Sequence, residues 1–276
     1  MRSRELKESS ANTLHISILG DSVVYGGHFL DQADTIASKL EKKIHKGLNL
    51  DALASAIAAS SWGPQNILNY FNKIGPFRGN HAVVIQSTHD RYDIITPSNR
   101  IIPPYRLETS YLAITDFILR IWEWIDTKYG NKKKYNQNKM KSFQKITHDS
   151  LNKLIIKLKK NYKHVALYYH VTKPELVEKE KYINNASYFR EIALNNKIYF
   201  INSFVEYNEK CHQNIYQDNI HLNDNGTSCV SNILFNWIKR TMSNSKSINS
   251  ITNAEIPVNT EILHARTYGA INKLNQ

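Results

Sequence analysis

The chain has 276 residues, an apolar content of 41% and a formal net charge of +12, values that fit one globular domain with elaborations. It contains no run of 18 or more apolar residues, and the charged stretch from Met1 to Thr13 has no apolar core before a cleavage site, so neither a membrane-spanning helix nor a secretory signal is expected. Cys211 and Cys229 stand outside any metal-ligand spacing and read as free thiols, which places the chain in a reducing, cytoplasmic compartment.

Leu14 to Leu19 reads as a buried strand. Ile36, Leu40 and Ile44 recur every four residues and predict an amphipathic helix over about 31–46. Leu53 to Ala59 is a weaker, Ala-rich strand. Pro64, at the favoured first position, opens a helix to about Asn72. Ala82 to Gln86 is a strongly apolar strand, and Pro97, Pro103 and Pro104 mark a loop over 96–107. Ile114, Phe117, Ile118, Ile121, Trp122 and Ile125 follow helical spacing.

Lys132 to Lys141 reads as a loop, and Leu151, Leu154, Ile155 and Leu158 mark the next helix. Val165 to Tyr169 is a strand, Glu178 to Leu194 a helix, Ile198 to Ile201 a short strand, and Asn225 or Gly226 opens a last helix to about Arg240. Residues 242–276 form a polar tail. Five strands separated by helices predict an α/β fold with a mainly parallel sheet and helices on both faces. The site of such a sheet lies beyond the carboxyl ends of its strands. Ser22, Trp62-Gly63 and Ser87 to Asp90 all fall on that rim. A single domain over 1–276, with a core of about 14–240, is expected.

The charge is uneven. Lys128 to Lys163 holds twelve lysines and one acid, Asp149, and so carries +11 of the +12. This basic insertion reads as a solvated surface. Its conceivable partners are a polyanion or an anionic membrane surface. No nucleic-acid motif accompanies it.

Gly20-Asp21-Ser22-Val23-Val24-Tyr25-Gly26 places a serine where the first strand ends. A serine hydroxyl needs a base within hydrogen-bond reach, and that base needs a third group to orient it. Asp218-Asn219-Ile220-His221 supplies both. Ser22, His221 and Asp218 are therefore the candidate catalytic residues. The Ser22 and Gly63 amides are candidate oxyanion donors. Asp21, Trp62 and Asp90 are candidates for substrate contact.

These motifs resemble the SGNH/GDSL hydrolase superfamily. Gly20-Asp21-Ser22 with Gly26 is similar to its first block, Gly63 to the second-block glycine, Ser87-Thr88-His89-Asp90 to the third block, and Asp218 to His221 to the fifth. The resemblance spans about 14–240. It implies a flavodoxin-like three-layer α/β/α sandwich and cofactor-free ester hydrolysis or acyl transfer. His89 stands where the third block carries its oxyanion asparagine, which makes the imidazole a further candidate donor. Ser61-Trp62-Gly63-Pro64-Gln65-Asn66, with His89-Asp90 and Asp93, also resembles a subset linked to bacterial surface-polysaccharide gene clusters. That subset implies a bacterial source and an O-acyl sugar, for example an O-acetyl one, as substrate.

The same residues are open to two other classes. A metal-dependent phosphoesterase could draw on Asp21, His89, Asp90, Asp93 and His221, but no D-x-H follows the first strand and no H-E-x-x-H occurs. His15, His28, His45 and His81 are scattered singly, so no metal is expected. A non-catalytic polyanion binder would use the lysine segment. Hydrolysis and transfer share one acyl-enzyme, and the sequence separates neither these two nor the oligomeric states.

Overall fold

A computed structural model describes residues 13–27, 29–75, 79–95, 137–211 and 214–247. Its strands are β1 (Leu14–Gly20), β2 (Ala52–Ala58), β3 (Gly79–Gln86), β4 (Tyr162–Tyr169) and β5 (Tyr199–Asn202). All pair in parallel, in the order β2-β1-β3-β4-β5. The central strands are continuous apolar runs because both faces of a parallel sheet are covered. Ile18, Leu19, Val83, Val84, Ala166 and Leu167 are all fully buried.

The helices are α1 (Ser22–Tyr25), α2 (Ile36–Leu48), α3 (Pro64–Ile74), α4 (Gln137–Asn161), α5 (Lys173–Val177), α6 (Lys179–Asn195), α7 (Phe204–Glu209) and α8 (Asp224–Ser247). The chain leaves β1 toward β2, then crosses back to β3. Right-handed crossovers therefore put α2 on one face of the sheet and α3, α4 and α6 on the other. α8 joins α2: Ser231 Oγ donates to the Ile36 carbonyl at 3.2 Å, and Lys39 Nζ donates to Ser228 Oγ at 2.8 Å. The reversal of direction at β1 creates a crevice between the carboxyl ends of β1 and β3, the place where open α/β sheets bind ligands.

Several boundaries differ from the sequence expectation. α2 begins at Ile36 because Thr35 caps it, its hydroxyl accepting from the Ser38 amide; residues Gln32–Asp34 form a separate 3-10 turn. Residues 137–141, expected in a loop, are the first turns of α4. That helix has no Gly or Pro along its length and many Lys, Gln and Leu, which are good helix formers. From Gln137 the basic stretch is thus the β3–β4 crossover helix, and Leu151, Leu154, Ile155 and Leu158 anchor it in the core. Lys141, Lys145, Lys153, Lys157, Lys159 and Lys160 face solvent. The expected loop at 96–107 and helix at 114–125 lie outside the described residues, as do 128–136 and 248–276.

Cys211 and Cys229 are not free thiols. They form a disulfide with their Cα atoms 6.1 Å apart, inside the span that a disulfide bridges. The segment between them folds back through an isolated antiparallel bridge, Tyr216 to Leu222, which brings the two ends together. The cytoplasmic expectation loses the support it drew from free thiols. No helix among the described residues is long and apolar enough to cross a membrane. The compact unit ends at Ile238, and residues from Lys239 belong to a second one.

Candidate active site

Ser22 opens α1 directly after β1. Asp21 caps this short helix, its Oδ1 accepting from the Val23 amide at 2.8 Å. Gly26 ends it in the left-handed region at φ 80°, a conformation that favours glycine. Cap and glycine together hold Ser22 on a tight turn at the crevice.

His221 reaches the serine from the opposite side. Its Nε2 lies 2.8 Å from Ser22 Oγ and its Nδ1 lies 2.7 Å from Asp218 Oδ2. With the Nδ1 hydrogen directed at the carboxylate, Nε2 carries the lone pair and accepts the Ser22 hydroxyl proton. Asp218 Oδ1 also accepts from the amides of Ile220 (2.8 Å) and His221 (2.7 Å), so one carboxylate shapes the turn and orients the imidazole. Its slight burial works toward a higher pKa, but these amides and the His221 side chain outweigh that and hold Asp218 below its ordinary value.

Sequence reasoning missed the residues that brace this turn. His170, fully buried just past β4, places Nε2 2.8 Å from the Ile220 carbonyl and Nδ1 2.9 Å from Tyr207 Oη. Burial pushes its pKa down to about 4, so it stays neutral and donates to the carbonyl. The Lys173 amide donates to the Asn219 carbonyl at 2.9 Å. The available signal was position: His170 follows an apolar strand run on the same rim as Ser22.

The turn after β3 is a 3-10 helix, Thr88–Arg91, capped by Ser87. The Ser87 amide donates to Asp90 Oδ2 at 2.7 Å. His89 Nε2 lies 3.0 Å from Asp21 Oδ2, and its Nδ1 lies 2.6 Å from Ser87 Oγ. Both ring nitrogens are therefore engaged within the protein. Thr88 Oγ1 donates to the buried Glu175 at 2.5 Å. Glu175 also accepts from Tyr169 and Asn185, which ties this turn to β4 and α6. Glu175 was likewise missed; Ser87 was placed on the rim but not read as a cap, although Ser87 with Asp90 three residues on is a readable capping box.

Asp21 and Asp90, the candidates for substrate contact, both point their carboxylates into the protein. Both carboxylates are buried, with side-chain exposures of 3% and 1%. They turn inward because each satisfies backbone amides, Val23 for Asp21 and Ser87 for Asp90. Trp62 is half-buried and leans on Tyr70, ring centroids 5.1 Å apart. The Gly63 amide makes a long 3.3 Å bond to Asn66 Oδ1. A Cβ on Gly63 would stand 2.7 Å from the Asp93 carbonyl, so only glycine lets these two turns meet. Phe29, unanticipated, is 55% exposed with its ring 5.9 Å from that of His221. Among the described residues, Asp21, His89 and Asp90 bring ligand-type atoms within 4.8 Å of one another; the His89 nitrogen in that set is already bonded to Asp21.

No family model and no curated protein matches the chain. Solved structures do match in fold. A putative GDSL-like lipase from Parabacteroides merdae superposes with a TM-score of 0.51 at 12% identity, covering 83% of this chain and 95% of its own. An acetyl xylan esterase gives 0.53 at 13%, covering 82% and 100%. An acetylxylan esterase from Geobacillus stearothermophilus gives 0.52 at 11%, covering 82% and 94%. The protein thus has the α/β fold of GDSL-type lipases and acetylxylan esterases, the fold that its first and last motifs resemble.

Proposed function

We propose that the protein is a serine esterase of the SGNH type that works through an acyl-serine intermediate. The observation that carries this reading is the hydrogen-bonded chain Ser22–His221–Asp218, with separations of 2.8 and 2.7 Å. Ser22 Oγ attacks the ester carbonyl carbon while its proton passes to His221 Nε2. The Asp218 carboxylate stabilises the imidazolium so formed. The Ser22 amide meets the oxyanion, and the Gly63 amide joins it by giving up its long bond to Asn66. As the tetrahedral adduct collapses, the carbon–oxygen bond to the alcohol breaks and His221 returns the proton to the leaving oxygen. Water then attacks the acyl-serine, gives its proton to His221, and releases the acid and Ser22.

An O-acetyl group on a carbohydrate is the substrate class favoured here. Two fold neighbours are named as acetylxylan esterases, and Trp62 offers an aromatic wall for a sugar ring. The acceptor decides between hydrolysis and transfer: a sugar hydroxyl in place of water would make the same acyl-enzyme a transferase.

The test is hydrolysis of p-nitrophenyl acetate and of acetylated xylo-oligosaccharide by wild type and Ser22→Ala, with and without chelator. Turnover should fall by about 10⁴-fold or more in Ser22→Ala and should ignore chelator. If neither hydrolysis nor transfer to sugar acceptors depends on Ser22, the esterase reading fails, and the lysine face of α4 becomes the functional surface to pursue.

A further inference from the structure

His89 lies between two buried carboxylates. Asp21 Oδ2 is 3.0 Å from its Nε2, and Asp90 Oδ1 is 3.7 Å from the same nitrogen. Its Nδ1 is 2.6 Å from Ser87 Oγ, which itself donates to Asp90 Oδ2 at 3.2 Å. Because the Ser87 hydroxyl proton is committed to Asp90, Ser87 Oγ accepts from Nδ1–H, while Asp21 accepts from Nε2–H. A ring with hydrogens on both nitrogens is an imidazolium. Asp90 Oδ1 is buried and has no hydrogen-bond partner, so the nearby positive ring is what compensates it.

Two carboxylates this close cannot both remain charged in a buried site without a cation: burial and then the Asp21 charge push the Asp90 carboxyl up, and the positive His89 ring is what pulls it back toward the charged form. The other charged or titratable groups that face His89 are Asp93, half-buried on the same turn, and His170, neutral in the core. Burial alone would lower the His89 pKa, but the field of Asp90 and the hydrogen bond to Asp21 outweigh it and raise the value to about 9. Asp21 in turn caps the helix that presents Ser22. The contacts therefore run without a break from the Ser87–Asp90 turn, through His89, to the nucleophile.

We propose that His89 is a positioning residue: an imidazolium that binds the Asp21 carboxylate beneath the nucleophile turn to the Ser87–Asp90 turn, and not an oxyanion donor. Its catalytic consequence rests on the esterase reading; the ion pair itself does not. An asparagine at position 89 could donate to an oxyanion but could not balance the carboxylates, and that difference makes the two roles separable.

The first measurement compares kcat and KM of wild type, His89→Asn and His89→Gln on p-nitrophenyl acetate, normalised to folded protein. Both variants should lose roughly tenfold or more in kcat while KM stays within about twofold. Wild-type kcat in His89→Asn would overturn the proposal in favour of a donor, and wild-type kcat in both would remove His89 from the mechanism. The second measurement is an NMR titration of the His89 imidazole, which needs neither activity nor the variants. It should report a charged ring at neutral pH in wild type and a clearly lower pKa in Asp21→Asn. A neutral ring at pH 7 would overturn the proposal even if the esterase holds. If the ring is charged but no Ser22-dependent turnover exists, the esterase reading fails and the ion pair stands. Stoichiometric Zn²⁺ uptake that His89→Gln abolishes would also overturn it, since the metal would then be the balancing cation.

Discussion

His81 and His89 bracket the last five residues of β3 and experience opposite electrostatics. His81, near the start of β3, is buried against the His164 ring (centroids 4.8 Å apart) and the edge of Trp237. Burial chiefly, then His164 and Lys163, pushes its pKa down to about 3. His89, just past the end of the strand, is raised to about 9 although burial opposes its charge too. Neighbours decide the sign: aromatic and cationic groups surround His81, whereas carboxylates surround His89. His81 is thus a neutral packing residue at the amino end of the sheet. The carboxyl end gathers the charged groups Asp21, His89 and Asp90 beside Ser22.

The largest way to sharpen this contrast is to act on the third histidine. His221 has a single carboxylate partner, and Asp218→Asn keeps its shape while losing its charge. We expect kcat to fall by about 10³–10⁴-fold, with the titrations of His81 and His89 unchanged. A smaller effect should appear in stability against pH. The folded-state pKa of His81 lies below the unfolded value of 6.5, so the folded protein resists protonation there. The stability it contributes is complete above pH 6.5 and is lost as pH falls from 6.5 toward 3, by a few kcal/mol. His89 has the opposite sign: its contribution is complete below 6.5 and is lost as pH rises through about 9. Stability against urea should therefore be lowest at both ends of this range. A variant His81→Phe that keeps the full acid limb would break the comparison. Smaller again, reduction of Cys211–Cys229 should lower stability by about 3 kcal/mol, the value for closing a loop of this length. Because that loop contains Asp218 and His221, activity should fall at lower denaturant than global unfolding, whereas His81 and His89 stay protected. Coincident loss of all signals would count against a local effect.

The strand runs were readable because a parallel sheet buries continuous apolar segments, and Leu14, Ala82 and Val165 each mark one within a few residues. Ser22, Asp218 and His221 were readable because their types and places at strand ends and turns limit what they can do. The fate of His89 was not. Donor or ion pair depends on whether Asp21, 68 positions before His89, turns its carboxylate inward; residue identity does not encode that rotamer. The disulfide escaped for a related reason. Its two cysteines lie eighteen positions apart, and the fold-back between them, with its bridge from Tyr216 to Leu222, is a tertiary feature that the spacing does not announce. Helix α4 was partly masked by its lysines, which are good helix formers and look like loop residues only when charge is weighed above propensity.

Ser22 and His221 are separated by 199 positions. During synthesis the nucleophile emerges about 10–40 s before its base, at ordinary rates of chain elongation. Until then the serine is an ordinary alcohol, inert toward any ester it meets. On the esterase reading, hydrolytic capacity therefore begins only after all five strands, which end at Asn202, have been made.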